Sequence, residues 1–141
     1  MRALLMIPGP VEVSPAVREA HDVVPPSHTA PDLIAAYGEA LELTLEVRSA
    51  APNSQPFIIP GSGTTAMELA AGSLIRRSKP VLVVNTGYFS QRMMEIARRY
   101  GADVHTVDAE PGFAPSPDEI EAAVKQCAPE IIFATHVDTS T

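Results

Sequence analysis

The stretch PVLVVNTGYFSQRMMEIARRYGADVHTVD, Pro80 to Asp108, contains a complete strand–helix–strand unit. Val81 to Val84 is an unbroken apolar run, and Asn85 to Ser90 is a polar turn around Gly87. Phe89, Met93, Ile96, Ala97 and Tyr100 then recur at helical spacing, and Gly101 follows as a left-handed C-terminal cap. Val104 to Val107 resumes the apolar character, with His105 and Thr106 inside it. Short, nearly unbroken apolar strands are covered by helices on both faces, which favours a parallel sheet. Working outward, Phe57 to Ile59 and Ile131 to Ala134 read as two more strands. Met67, Ala70, Ala71, Leu74 and Ile75 mark one intervening helix, and Ile120, Ala123, Val124 and Cys127 mark another. Ser116-Pro117-Asp118-Glu119 supplies an N-cap, a helix-opening proline and a capping-box glutamate. The order from residue 56 is β-α-β-α-β-α-β. It predicts an open α/β fold, a mostly parallel sheet with flanking helices, whose ligands sit beyond the carboxyl ends of the strands.

Upstream, Pro8-Gly9-Pro10 stops the apolar run Met1 to Ile7 too early for a signal-peptide core or a membrane span. A short helix is expected from Ser14 to about His21 with Pro15 in its first turn, ended by Pro25-Pro26. A capping box from Thr29 and Asp32 is expected to open a longer helix that runs to about Ser49. The 141 residues suit one domain, and 45% apolar content is enough for a core. A net charge of −7 without a basic cluster argues against nucleic acid and anionic membranes as partners. A single cysteine, Cys127, is read as a buried thiol in an intracellular chain.

Three segments carry candidate chemistry. Pro60-Gly61-Ser62-Gly63-Thr64-Thr65-Ala66 places glycines, hydroxyls and free helix-start N–H groups at one point, a cradle for phosphate. It lacks the Gly-Lys-Thr of a Walker loop and the third glycine of a dinucleotide fingerprint, so a monophosphate ester fits better. The plainer reading is a strand-to-helix turn capped by Ser62. Asn85 to Ser90 offers Tyr88 or Phe89 as a ring to stack on a flat ligand, or as an apolar contact fixing the start of the helix. Thr135-His136-Val137-Asp138-Thr139-Ser140-Thr141 is polar and hydroxyl-rich directly after a strand. No His, Cys or carboxylate spacing suits a metal.

These motifs in order, with Ile7-Pro8-Gly9-Pro10-Val11 and Ser54-Gln55-Pro56-Phe57, resemble the class V aminotransferases of the fold type I pyridoxal-phosphate group. Within it the chain is similar to alanine–glyoxylate and serine–pyruvate aminotransferases, most of all the fungal type. The resemblance implies residues 1–50 as an N-terminal arm with helices and 51–141 as the first part of the cofactor-binding large domain. It implies Ser62, Gly63 and Thr64 on the cofactor phosphate, Phe89 on its ring where relatives often carry Trp, and Thr139 with Ser140 near its phenolic oxygen. Pro8 and Gly9 would shape the substrate end, and His28 would lie in a loop approaching the active sites of a homodimer. The substrates implied are a small amino acid, alanine or serine, and glyoxylate or a similar 2-oxo acid.

Transamination also needs a lysine bonded to the cofactor, an acid on the pyridine nitrogen and an arginine for the substrate carboxylate. The chain has Lys79 and Lys125 alone, one preceding Pro80 at the wrong end of its strand and the other on an outer helix face. It therefore reads as the N-terminal part of a larger enzyme, inactive by itself, with no catalytic residue of its own. A truncated phosphate-binding module, another class V enzyme and a nucleotide-binding domain are the alternatives. The compartment, whether peroxisome, mitochondrion or cytoplasm, is not distinguished. Half a sheet exposes apolar faces, so residues 1 to 141 expressed alone are expected to aggregate or stay molten. A sharp cooperative melt from a soluble monomer would contradict this.

Overall fold

The computed structural model describes residues 4–51 and 53–140. They form two compact units that divide between Pro60 and Gly61.

In the first unit, α1 spans Pro15–His21; the Ser14 side chain accepts from the Val17 N–H, and Pro15 occupies the first turn as expected. Helix α2 spans Pro31–Val47, but Thr29 and Asp32 do not form its capping box. Pro31 starts the helix and holds Ala30 extended, so Ala30 is the cap and Thr29 falls one residue too early. The Thr29 N–H donates to Ser27 Oγ instead. Phe57 to Ile59 is likewise not a strand. A strand exists through its ladder, and prolines 56 and 60 remove two of the donors this segment would need. The Ile58 carbonyl accepts from the Tyr37 hydroxyl at 2.8 Å, and Phe57 is 78% exposed.

The second unit runs α3 (Gly63–Leu74), β1 (Pro80–Asn85), α4 (Tyr88–Arg99), β2 (Asp103–Asp108), α5 (Pro117–Cys127) and β3 (Ile131–Ala134). Its sheet has three strands in the order β2-β1-β3, all parallel, with Val83 opposite both Thr106 and Phe133. Because β2 and β3 flank β1 on opposite sides, right-handed crossovers put α4 and α5 on opposite faces. Val81 to Val84 of the central strand are accordingly buried, whereas β2 and β3 alternate as edge strands do. Helix α3 packs on α4, and Ala71, Met93 and Ile96 form the core, joined by Met67, Ile75 and Phe133. Three expected core positions differ. Tyr100 caps the end of α4 and is 39% exposed. Leu74 ends α3 and is 54% exposed. Cys127 is half-buried, since α5 buries none of its residues fully; its thiol donates to the Ala123 carbonyl.

Local signals set the boundaries. Gly101, at φ +82°, turns the chain out of α4, and a Cβ there would sit 3.1 Å from the Arg77 side chain. At α5, Ser116 Oγ accepts from the Glu119 N–H while Glu119 Oε2 accepts from the Ser116 N–H at 2.7 Å. The Ser116 N–H foremost, and then the Ser116 hydroxyl, which donates to the same Oε2 at 2.8 Å, hold the Glu119 carboxyl below its ordinary value. Among the described residues no helix is long and apolar enough to cross a membrane. Ser116→Ala is expected to cost about 1 kcal/mol in denaturant unfolding of the protein that carries this chain. An unchanged midpoint would mean that α5 does not depend on its cap.

Candidate functional site

At the start of α3, Ser62 is the N-cap: its Oγ accepts from the Thr65 N–H at 3.3 Å, and its own N–H donates to Thr65 Oγ1 at 3.2 Å. The plainer reading of Ser62 is thus realised, and the hydroxyl oxygens of Ser62 and Thr65 each accept from the other residue's backbone N–H. Gly61 has no room for a side chain, because a Cβ would lie 2.9 Å from Thr65. Gly63 is the opposite case, where a Cβ would meet nothing within 4 Å. The N–H groups of Gly63 and Thr64 have no hydrogen-bond partner among the described residues. Open space, free donors and the positive end of a helix of 12 residues suit an anion. The Thr64 hydroxyl oxygen accepts from Arg92 Nη1 at 3.1 Å.

The start of α4 is filled from within the chain. Asp138 is 3% exposed, and its Oδ2 accepts from the N–H groups of Phe89 at 3.0 Å and Ser90 at 3.1 Å. Its Oδ1 accepts from the Ser140 hydroxyl at 2.6 Å, and Ser140 Oγ in turn accepts from the Tyr88 N–H at 2.8 Å. Burial, the largest single influence, pushes the Asp138 carboxyl up. The hydrogen bonds from Ser140 and Ser90 together outweigh it and hold the group below its ordinary value. Ser90, fully buried, accepts from the N–H groups of Thr86 and Gly87 at 2.9 Å each, closing the loop after β1. Of the two helix starts on this side, α4 therefore holds a carboxylate of its own and α3 is left open.

Arg92 joins the two. Its guanidinium lies over the Tyr88 ring, 5.0 Å from the centroid, and donates to the Tyr88 hydroxyl as well as to Thr64. The structure thus links Thr64, Ser140 and the backbone of Phe89 through Arg92, Tyr88 and Asp138. Sequence reasoning assigned no role to Arg92, Ser90 or Asp138. Phe89 is half-buried, 5.3 Å from Tyr88 in an edge-to-face pair. Thr139 is exposed beside Ser140. A cavity of about 310 Å³ opens at the carboxyl ends of β1 and β3, lined by Thr86, Phe113 and Thr135 to Asp138 among others. In a 2-1-3 sheet this is the switch point where ligands bind. Phe89 is not in its lining. Pro8, Gly9 and His28 lie in the first unit, exposed, before α1 and before α2. Thr141 lies outside the described residues.

Neither lysine reaches this region. Lys79 stands before the amino end of β1, paired with Glu130, and a strand of six residues spans about 20 Å. Lys125 pairs with Glu121 on α5. Among the described residues no cluster of three or more His, Cys, Asp or Glu is placed to hold a metal.

No protein-family model matches the chain. Individual relatives do. Alanine–glyoxylate aminotransferase 1 of Saccharomyces cerevisiae is 38% identical over 97% of this chain and 37% of its own length. The (S)-ureidoglycine–glyoxylate transaminase of Bacillus subtilis is 31% identical over 97% of the chain and 33% of that relative. The crystal structure of the alanine–glyoxylate aminotransferase of Nostoc sp. superposes with a TM-score of 0.88 at 34% identity, covering 98% of this chain and 36% of that one. The chain spans about a third of the length of the curated relatives it matches. Its resemblance to class V aminotransferases runs along its whole length, and its α/β fold is that of part of such an enzyme.

Because the folded-state value of Asp138 lies below the unfolded value of about 3.9, its stabilisation is full above that pH and is lost as pH falls through the folded value. Asp138→Asn is expected to destabilise the protein carrying this chain by about 1–3 kcal/mol at neutral pH and to flatten its acid unfolding. Equal acid profiles for the two proteins in a pH series of denaturant melts would refute this.

Proposed function

We propose, from a likeness to class V aminotransferases that runs the length of the chain, that it is the N-terminal part of a pyridoxal-phosphate-dependent transaminase. The full-length enzyme moves an amino group from alanine or serine to glyoxylate or a similar 2-oxo acid, and works as a homodimer. The observation that carries this reading is the open α3 start, joined by hydrogen bonds to both other loops that the sequence singled out. Pyridoxal phosphate, when bound, supplies the electron sink that makes amino-group transfer feasible.

The residues of this chain bind and orient. The N–H groups of Gly63 and Thr64 and the hydroxyls of Ser62 and Thr64 hold the phosphate, and Gly63 leaves the space for it. Phe89 faces the ring once the pocket is complete, with its backbone fixed by Asp138. Thr139 and Ser140 lie toward the phenolic oxygen. Pro8, Gly9 and His28 belong to the substrate side, with residues 1–50 as an arm and 51–141 as the opening of the large domain. The cofactor-bonding lysine, the acid for the ring nitrogen and the substrate-clamping arginine come from outside this chain. The distance of both lysines from the cradle also favours a second reading, a phosphate-binding module without activity.

The full-length protein is expected to show the visible absorbance of bound pyridoxal phosphate and to form pyruvate from alanine only when glyoxylate is present. Absence of both signals would refute the transaminase. Cofactor binding without turnover would favour the module. Gly63→Ala is expected to leave the melting temperature unchanged or higher, since the added methyl meets no atom, while weakening cofactor binding about tenfold. Unweakened binding would remove the phosphate from this position.

A further inference from the structure

We infer that Arg92 is a positioning residue for the α3 cradle, orienting the Thr64 hydroxyl and supplying the positive charge that favours a doubly charged phosphate ester there. The inference rests on the reading above and deepens it.

Arg92 donates Nη1–H to Thr64 Oγ1 at 3.1 Å. A hydroxyl whose oxygen already accepts from a cation has its own hydrogen to give elsewhere, and no hydrogen bond donated by Thr64 occurs among the described residues. That hydrogen is left for an acceptor at the helix start, beside the free N–H groups of Gly63 and Thr64. The guanidinium is held from behind. Tyr88, one helical turn earlier on α4, lies under it and takes a second of its N–H groups. Tyr88 is tied in turn through its N–H to Ser140 and so to Asp138.

Charge points the same way. Arg76 and Arg99 are paired with Glu130 and Glu68, while Arg18, Arg48, Arg77 and Arg98, which have no carboxylate partner among the described residues, are exposed to water. Arg92 has no carboxylate within ion-pair distance among the described residues; both its partners are neutral hydroxyls. It is half-buried, in a chain of net charge −7. A partly desolvated cation facing an anion-binding helix start is under-compensated until an anion arrives. A phosphate monoester carries about −1.5 to −2 near neutral pH, which suits a guanidinium together with a helix dipole.

The test uses the full-length apoprotein and compares pyridoxal phosphate with pyridoxal, which has the same ring and no phosphate. Arg92→Gln is expected to weaken pyridoxal phosphate binding about tenfold and to flatten its dependence on ionic strength, leaving pyridoxal affinity unchanged. Arg92→Lys is expected to keep the ionic-strength dependence and lose part of the affinity, because a point charge replaces the fork. It also carries the test if Arg92→Gln does not fold. In a Thr64→Val background the effect of Arg92→Gln should shrink, since the contact through which it acts is gone. Equal losses for both ligands would mean a purely structural Arg92 and overturn the inference. So would unchanged phosphate-ester binding in Arg92→Gln while Thr64→Val weakens it, a result that leaves the cofactor reading standing. A wild-type protein that binds no pyridoxal phosphate would overturn both.

Discussion

The Asp138 carboxylate at the start of α4 is the constraint from which the site follows. A charge that is 3% exposed persists only where donors replace the water it has lost. Here the first turn of α4 and the loop after β3 supply them: N–H groups of Phe89 and Ser90 to one oxygen, the Ser140 hydroxyl and N–H to the other. Each of these is a charge-assisted bond to a group that would itself be costly to leave unpaired, so neither segment can move without exposing the other's polar atoms. The negative charge also meets the positive end of the α4 dipole. The carboxylate thus fixes one loop and one helix.

From α4 the order passes to α3. Ala71 and Met67 on α3 pack with Met93 and Ile96 on α4, so the inner face of the helix is apolar, and on the same helix Arg92 reaches across to Thr64. Apolar burial sets how the helices lie, and two arginines of α4 cross to α3, Arg99 to Glu68 and Arg92 to Thr64 in the first turn. The positions of Thr64 and Tyr88 are coupled through one side chain, and the geometry at the start of α3 depends on contacts first set at the start of α4.

What the sequence disclosed and what it concealed divide by range. Gly101, Ser116 with Glu119, and Ser14 with Pro15 were legible because each acts within a few residues of itself. The helical spacing of Met93, Ile96 and Ala97 was legible because burial repeats with the helix. Phe57 to Ile59 misled, since an apolar run looks the same with or without a neighbouring strand, and the flanking prolines were the overlooked sign. Thr29 misled by one position, because Pro31 outweighs a polar side chain in deciding where a helix begins. Asp138 stood inside a motif already singled out, yet its partners lie 48 and 49 residues earlier and no local pattern names them. For Arg92 the spacing to Tyr88 was visible, whereas the contact with Thr64, 28 residues away, was not.

The two helix starts show why a shared geometry does not imply a shared role. The first turns of both α3 and α4 have N–H groups with no partner inside the helix, and either would attract an anion if left alone. At α4 the anion is built in, and a second one would meet like charge and occupied donors. At α3 the cap residues satisfy each other, Gly63 leaves the approach open, and the nearest guanidinium bonds neutral oxygens. A mobile phosphate therefore finds one site where it would compete with Asp138 and another where charge and donors are unmatched. The internal carboxylate does more than stabilise: by occupying one of two equivalent positions, it decides which of them remains for a ligand.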